Sequence, residues 1–283
     1  MIGSAWALPL WVILLNAQPS LSGERVEATL LVKDSLVAPG QTATVEAKLI
    51  ARGLLRNAAL GGEPVDLLVG DTVVATAMTG GDGTAFLSYK PKGQGIKPVR
   101  VRVGESPRVT SVEGVANVLV WERRSPILAV EMTALFEEPS SHTVFPGLFS
   151  KAASEWKPMP EAAEELDKLT RFYYRPMYIV SSPSVGDGFE ASAEVRDWLK
   201  AHRFPGGYVF VLPPGEDAMG KKIDEMHEAG WKSLKVGIGR SRAFAEAFVE
   251  RRLDVVIVSE PSKGEMPRRA KVAKKWNEVR KKL

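Results

Sequence analysis

Residues 234–258 read LKVGIGRSRAFAEAFVERRLDVVIV, and they decide the second half of the molecule. An apolar run, Leu234–Ile238, ends at a glycine. Ser241 then stands where a helix N-cap belongs, Ser241–Arg252 carries apolar residues at helical spacing, and Val255–Val258 is again a short apolar run. Strand, turn, helix and strand in that order predict a parallel crossover unit.

The same alternation extends toward the N-terminus. Ile127–Met132, Met177–Val180 and Tyr208–Leu212 read as buried strands, and Pro160–Tyr173, Glu190–His202 and Lys221–Ala229 as helices. Residues 125–283 are therefore expected to form an α/β domain with a doubly wound, mostly parallel Rossmann-like sheet, whose ligands meet the carboxyl ends of the strands. The long stretch from Phe136 to Met159 is expected to act as a lid over that end.

From Glu24 to about Trp121 the period changes to two. Val26, Ala28, Leu30 and Val32 share one face, as do Ala43, Val45, Ala47 and Leu49. Turn signals such as Pro39-Gly40, Gly61-Gly62 and Gly80-Gly81-Asp82-Gly83 separate about seven short strands, so residues 24–124 read as a β-sandwich. Asp66, Asp71 and Asp82 could be grouped into a calcium site, but Asp82 between glycines is what a tight turn requires in any case.

The composition bounds the chemistry. The 283 residues hold 38 Lys+Arg against 34 Asp+Glu, no Cys and three His. No thiolate site, disulfide or cysteine nucleophile exists, and the histidines have no ligand spacing, so no metal site is expected from them. Residues 267–283 carry eight basic side chains and one acid, which leaves the rest slightly acidic and excludes a nucleic-acid footprint over a whole domain. In that basic end, Val272, Trp276, Val279 and Leu283 fall on one stripe of a helix written over 267–283. The stripe either docks on the sheet or lies on an anionic membrane surface with Trp276 at headgroup depth.

Residues 1–22 contain no charged side chain, and Ile2–Leu15 is almost wholly apolar. As a helix that run spans ~21 Å, short of a ~30 Å hydrocarbon core. Three readings stand open: a cleaved signal peptide, an N-terminal anchor, or a buried part of the fold. The first two place the protein outside the cytoplasm, in the periplasm or beyond, or tethered to a membrane.

Two stretches resemble known families. Ala75–Phe86, with Gly62-Glu63-Pro64-Val65 before it, is similar to the hairpin of invasin-type bacterial Ig-like domains. That resemblance implies a spacer or adhesion role. Tyr178-Ile179-Val180-Ser181-Ser182-Pro183, followed by Val195-Arg196-Asp197-Trp198-Leu199-Lys200-Ala201-His202-Arg203-Phe204-Pro205-Gly206-Gly207, resembles the lipin-like phosphatidate phosphatases of the haloacid dehalogenase superfamily. Lys221-Lys222, Val236–Ser241 and Val256–Glu265 follow in the expected order.

That second resemblance implies phosphoryl transfer to a first-strand aspartate, with Mg²⁺ beside it and an acid/base two residues on. Aligning the family's Asp-x-Asp-x-Thr on Thr133 places Ala129 at the nucleophile position and Glu131 at the acid/base. A shifted alignment instead makes Glu131 the nucleophile. The second motif falls on Val180 or, shifted by one residue, on Ser181; the third falls on Lys222 or Lys221. The fourth, where metal-binding Asp residues belong, reads Arg240, Ser241, Arg242 and Ala243.

The leading expectation is a pseudophosphatase that binds a phosphorylated or anionic small molecule or lipid through Lys222, Arg240, Ser241 and Arg242, without a cofactor. Two alternatives are carried beside it. One is a divergent Mg²⁺-dependent phosphatase acting on a phosphatidate-like substrate; the other is a purely structural or adhesive protein. Gly237-x-Gly239 is not a dinucleotide fingerprint, because Arg242 stands at the third glycine position.

Overall fold

A computed structural model describes residues 25–52, 58–137, 156–181, 188–213, 217–259 and 266–283. The apolar segment 1–22, most of the expected lid, Ser182-Pro183 and Glu260–Glu265 lie outside the described residues.

The first half packs two sheets face to face. One contains β1 (Ala28–Val32), β3 (Ala43–Ala51), β4 (Ala58–Ala59) and β7 (Thr84–Tyr89). The other runs in the order β2 (Ser35–Val37), β9 (Glu113–Val120), β8 (Gly95–Val103), β5 (Pro64–Val69), β6 (Thr72–Met78). The two-residue period is visible in burial: Ala43, Val45, Ala47 and Leu49 of β3 are enclosed while Thr44 faces water. They meet Leu67, Leu87, Val101 and Val118 in a core of their own. Ser35–Val37 and Ala58–Ala59 add strands that the sequence pattern does not show, because two or three residues carry no period.

Asp82 closes its turn by accepting a hydrogen bond from the Thr84 amide at 2.9 Å. Asp66 is bonded to the Thr76 hydroxyl and Asp71 to Arg100. The turn reading of Asp82 thus holds, and Asp66 and Asp71 serve a cross-strand hydrogen bond and ion pairs.

The second half contains six parallel strands in the order β12 (Tyr208–Leu212), β11 (Arg175–Ser181), β10 (Ile127–Glu131), β13 (Leu234–Gly239), β14 (Asp254–Val258), β15 (Lys271–Ala273). Numbered within this half, the order is 3-2-1-4-5-6, the Rossmann arrangement with its switch point between β10 and β13. Helices α1 (Ala162–Thr170), α2 (Phe189–Ala201) and α5 (Trp276–Lys282) share one apolar cluster, and α3 (Ala218–Glu228) and α4 (Arg242–Glu250) another. Gly237 and Gly239 allow this packing: a Cβ on Gly239 would stand 2.3 Å from the Phe244 ring.

The basic end departs from the expected single helix over 267–283. Lys271–Ala273 is a strand added beside β14, and only Trp276–Lys282 is helical. An unfilled sheet edge with three residues of the right reach overrides helical periodicity here. Trp276 is 1% exposed and donates its indole N–H to the Ala134 carbonyl at 3.0 Å. It is a core residue, so the reading that puts it at headgroup depth is corrected; Lys281 and Lys282 remain on the outer face.

The halves are joined by more than the chain between Trp121 and Pro126. Ala38, Leu119 and Trp121 of the sandwich belong to the same cluster as Ile127, Met177 and Phe248. Asp34, in the loop between β1 and β2, crosses the seam. Its carboxylate accepts from the Asn117 amide at 2.9 Å on its own side, and from the Val209 amide at 3.3 Å and Arg196 at 3.1 Å on the other. Arg196 also donates to the Val32 and Val115 carbonyls, each at 2.8 Å.

Candidate functional site

The switch point is the place where an open parallel sheet presents a crevice to a ligand. Glu131 ends β10 there, opposite Ile179 of β11, and β13 leads beside it into the Gly239-Arg240-Ser241 turn. The sequence makes this turn an anion site by itself, since amide groups at the start of α4 point outward without helical partners. Ser241 caps that helix, its hydroxyl accepting from the Phe244 amide at 3.2 Å.

The anion in the turn is Glu131. One carboxylate oxygen accepts from the Arg240 amide at 2.7 Å and the Ser241 amide at 2.9 Å; the other accepts from the Ser241 hydroxyl at 2.5 Å. The side chain is 2% exposed. Buried, it takes the amide donors that a ligand anion at this helix start would otherwise use.

The other sequence candidates are dispersed. Ala129 is fully buried mid-strand between Met177 and Gly237, within the apolar cluster, two residues short of the strand end. The strand ends at Glu131. Thr133 lies in the 3₁₀ turn Met132–Ala134, its hydroxyl buried without a hydrogen-bond partner. Ser181 is exposed at the end of β11.

Lys222 sits on α3 with its ammonium 3.9 Å from the centre of the Phe210 ring and 3.4 Å from Glu225. It is engaged there, over β12 rather than over Glu131. Arg240 reaches the Phe136 carbonyl at 3.3 Å, and Arg242 pairs with Glu246 one turn along α4 at 2.6 Å, largely in solvent. Of the four residues expected to hold an anion, Lys222 is engaged elsewhere, while Arg240, Ser241 and Arg242 follow one another at the start of α4, the first two turning their amides to Glu131.

The block that carries the phosphatase resemblance most specifically is a packing device. Trp198 stacks on Phe204 with ring centres 5.3 Å apart and donates to the Trp156 carbonyl. Tyr178, fully buried, donates its hydroxyl to the Pro205 carbonyl at 2.6 Å, and burial pushes that phenol far above its usual range. A Cβ on Gly207 would stand 2.3 Å from the Pro176 carbonyl oxygen. These contacts fix the end of α2 against β11 and place no reactive group at the switch point.

The Mg²⁺ that the resemblance implies needs several oxygen ligands. Among the described residues no three acids or histidines gather as a metal site, and Glu131 already accepts three hydrogen bonds. Among the described residues, those at the strand ends do not fit the ion.

Sequence reasoning missed Asp34 and Arg196. Burial raises the Asp34 carboxyl above its usual range, while Arg196 and the Asn117 and Val209 amides pull it back. Asp34 lies 162 positions from Arg196, and no spacing rule connects residues so far apart.

No protein-family model and no curated protein matches the chain. Solved structures do resemble it. The D,D-heptose 1,7-bisphosphate phosphatase of B. bronchiseptica is 13% identical, covering 55% of this chain and 96% of its own, with a TM-score of 0.42. The corresponding phosphatase of Burkholderia thailandensis is 14% identical over 54% of this chain and 94% of its own, with a TM-score of 0.39. The human titin domain ZIg10 is 13% identical over 43% of this chain and 95% of its own, with a TM-score of 0.22. The structures that resemble it thus include heptose bisphosphate phosphatases and a titin domain. The fold assignment itself rests on strand order.

Proposed function

We propose that the protein is a catalytically silent, lipin-like relative of the phosphatases, joined to an invasin-type Ig-like sandwich, and that it works by binding. The supporting observation is the Glu131 carboxylate, held by the Arg240 and Ser241 amides and the Ser241 hydroxyl. A nucleophile must present a lone pair to phosphorus, and this one is turned into the protein's own anion cradle.

The ligand class is a phosphorylated or anionic small molecule or lipid. Because Glu131 has taken the amides, such a ligand meets the guanidinium groups of Arg240 and Arg242 at the rim. The apolar N-terminal segment supports export or tethering, and Lys281 and Lys282 support electrostatic contact with an anionic membrane. A second reading, a working phosphatase with Glu131 as nucleophile, draws support from the position of Glu131 at the strand end.

The full chain is incubated with p-nitrophenyl phosphate and with phosphatidate vesicles in Mg²⁺. The expected result is no release of phosphate above buffer. Release abolished by Glu131→Gln overturns the silent reading in favour of the second. For binding, inorganic phosphate is expected to raise the melting temperature, with the shift lost in the Arg240→Ala/Arg242→Ala protein; an unchanged shift removes the two arginines from the proposal.

A further inference from the structure

Phe172 and Tyr173, in the turn that carries α1 into β11, are 91% and 63% exposed. Aromatic rings of this size are normally drawn into a core, and a pair left in water is a feature to be explained. The turn reads Arg171-Phe172-Tyr173-Tyr174-Arg175, two adjacent exposed rings between two arginines. Tyr174 packs against the core shared by α1, α2 and α5, and meets Tyr173 edge-on with ring centres 4.7 Å apart. The fold thus holds the two rings outward as a convex tip.

Cations gather at the same end. α1 leads into the start of β11 and α5 follows β15, so in this parallel sheet both helices finish beside the amino ends of the strands. The two helices share one apolar cluster, and Arg280 lies 3.8 Å from Glu165, which brings Lys281 and Lys282 toward the end where Phe172 stands. The acids here are paired: Asp167 with Arg171, Glu165 with Lys168 and Arg280, and Asp254 with Lys271. Arg175, Lys281 and Lys282 have no ion-pair partner among the described residues. Phe86, the other exposed ring among the described residues, differs: it stands opposite Glu46 on β3.

We propose that Phe172 and Tyr173 are an insertion tip for an anionic membrane surface, seated among the headgroups while Arg175, Lys281 and Lys282 meet lipid phosphates. The inference rests on the membrane contact of the proposed function and assigns that contact to particular side chains. The role expected of Trp276, which is buried, passes to two rings that are exposed. Charge complementarity selects the occupant: unpaired cations beside protruding aromatics match an interface that is anionic outside and apolar beneath. A convex tip of two rings offers a folded protein neither a groove nor the area of a stable interface, whereas a bilayer yields around it.

The chain has no native cysteine, so an environment-sensitive fluorophore can be placed on the full chain through Tyr173→Cys alone. With phosphatidylcholine vesicles containing phosphatidylglycerol its emission is expected to brighten and shift to the blue, and to return on addition of salt. With phosphatidylcholine alone, or with the label at Phe86→Cys, no change is expected. In co-sedimentation, Phe172→Ser/Tyr173→Ser is expected to weaken the salt-sensitive binding about tenfold or more, while the thermal shift produced by inorganic phosphate stays as in the wild type. Both positions are exposed, and far-UV circular dichroism verifies that the variant is folded. Protein that sediments with anionic vesicles while the label at 173 stays in water overturns the tip and leaves membrane contact standing. A label that responds equally to both vesicles overturns the role of charge, and the absence of any salt-sensitive binding overturns the tip and the membrane contact together.

Discussion

Glu131 and Asp34 are both buried carboxylates that accept two backbone amides, yet they do different work. Glu131 adds a serine hydroxyl and fastens the end of β10 to the start of α4 within one domain. Asp34 adds an arginine and joins two domains, since its amide partners, Asn117 and Val209, belong to different halves. The comparison teaches that a buried acid is tolerated wherever donors converge, and that the origin of those donors decides whether it fills a site or fastens a seam.

The largest expected effect is at the seam. Asp34→Ala leaves Arg196 without its counter-charge and two amides unpaired, and costs about 3–5 kcal/mol by urea denaturation. A loss under 1 kcal/mol would show that the halves do not depend on this contact. Glu131→Ala orphans the Arg240 and Ser241 amides at about 1–3 kcal/mol in total, read as a lower melting temperature. Inorganic phosphate is expected to restore part of that loss by entering the emptied cradle. A melting point unaffected by phosphate would mean that the cradle fits only the carboxylate.

Glu194 on α2 sharpens the comparison because it lacks such donors. One of its carboxylate oxygens is buried without a partner, and burial, helped by Glu190 and Asp197, pushes its carboxyl up to about 7. A carboxyl raised in the folded state contributes stability that is complete below its unfolded value near 4.5 and is lost as pH rises through about 7. Glu194→Gln is therefore expected to flatten the decline in stability over that interval; an unchanged slope refutes this. The smallest effect is expected at Arg242, whose pair with Glu246 lies largely in solvent: Arg242→Ala changes stability by less than ~0.5 kcal/mol.

Much of the fold was legible because its signals are local. Two-residue alternation at Ala43–Leu49 and the capped helix after Ser241 name their elements without help from distant residues. The end of the chain was not legible. Val272, Trp276, Val279 and Leu283 fit a helical stripe, but the free edge of β14 recruits Lys271–Ala273 as a strand. The site was half legible. Glu131 stands out as an acid ending an apolar strand, while its frame relative to Ala129 depends on where the strand stops, which periodicity does not mark.

The sequence by itself determined a β-sandwich followed by an α/β half, and the absence of thiol chemistry, because periodicity and composition are properties of neighbours and counts. Only the tertiary structure decided that Glu131 fills its own cradle, that Lys222 rests on Phe210, and that Asp34 ties the halves together. The first and last of those facts depend on donors and acceptors brought close from more than a hundred positions away, and chain order does not encode where such partners meet.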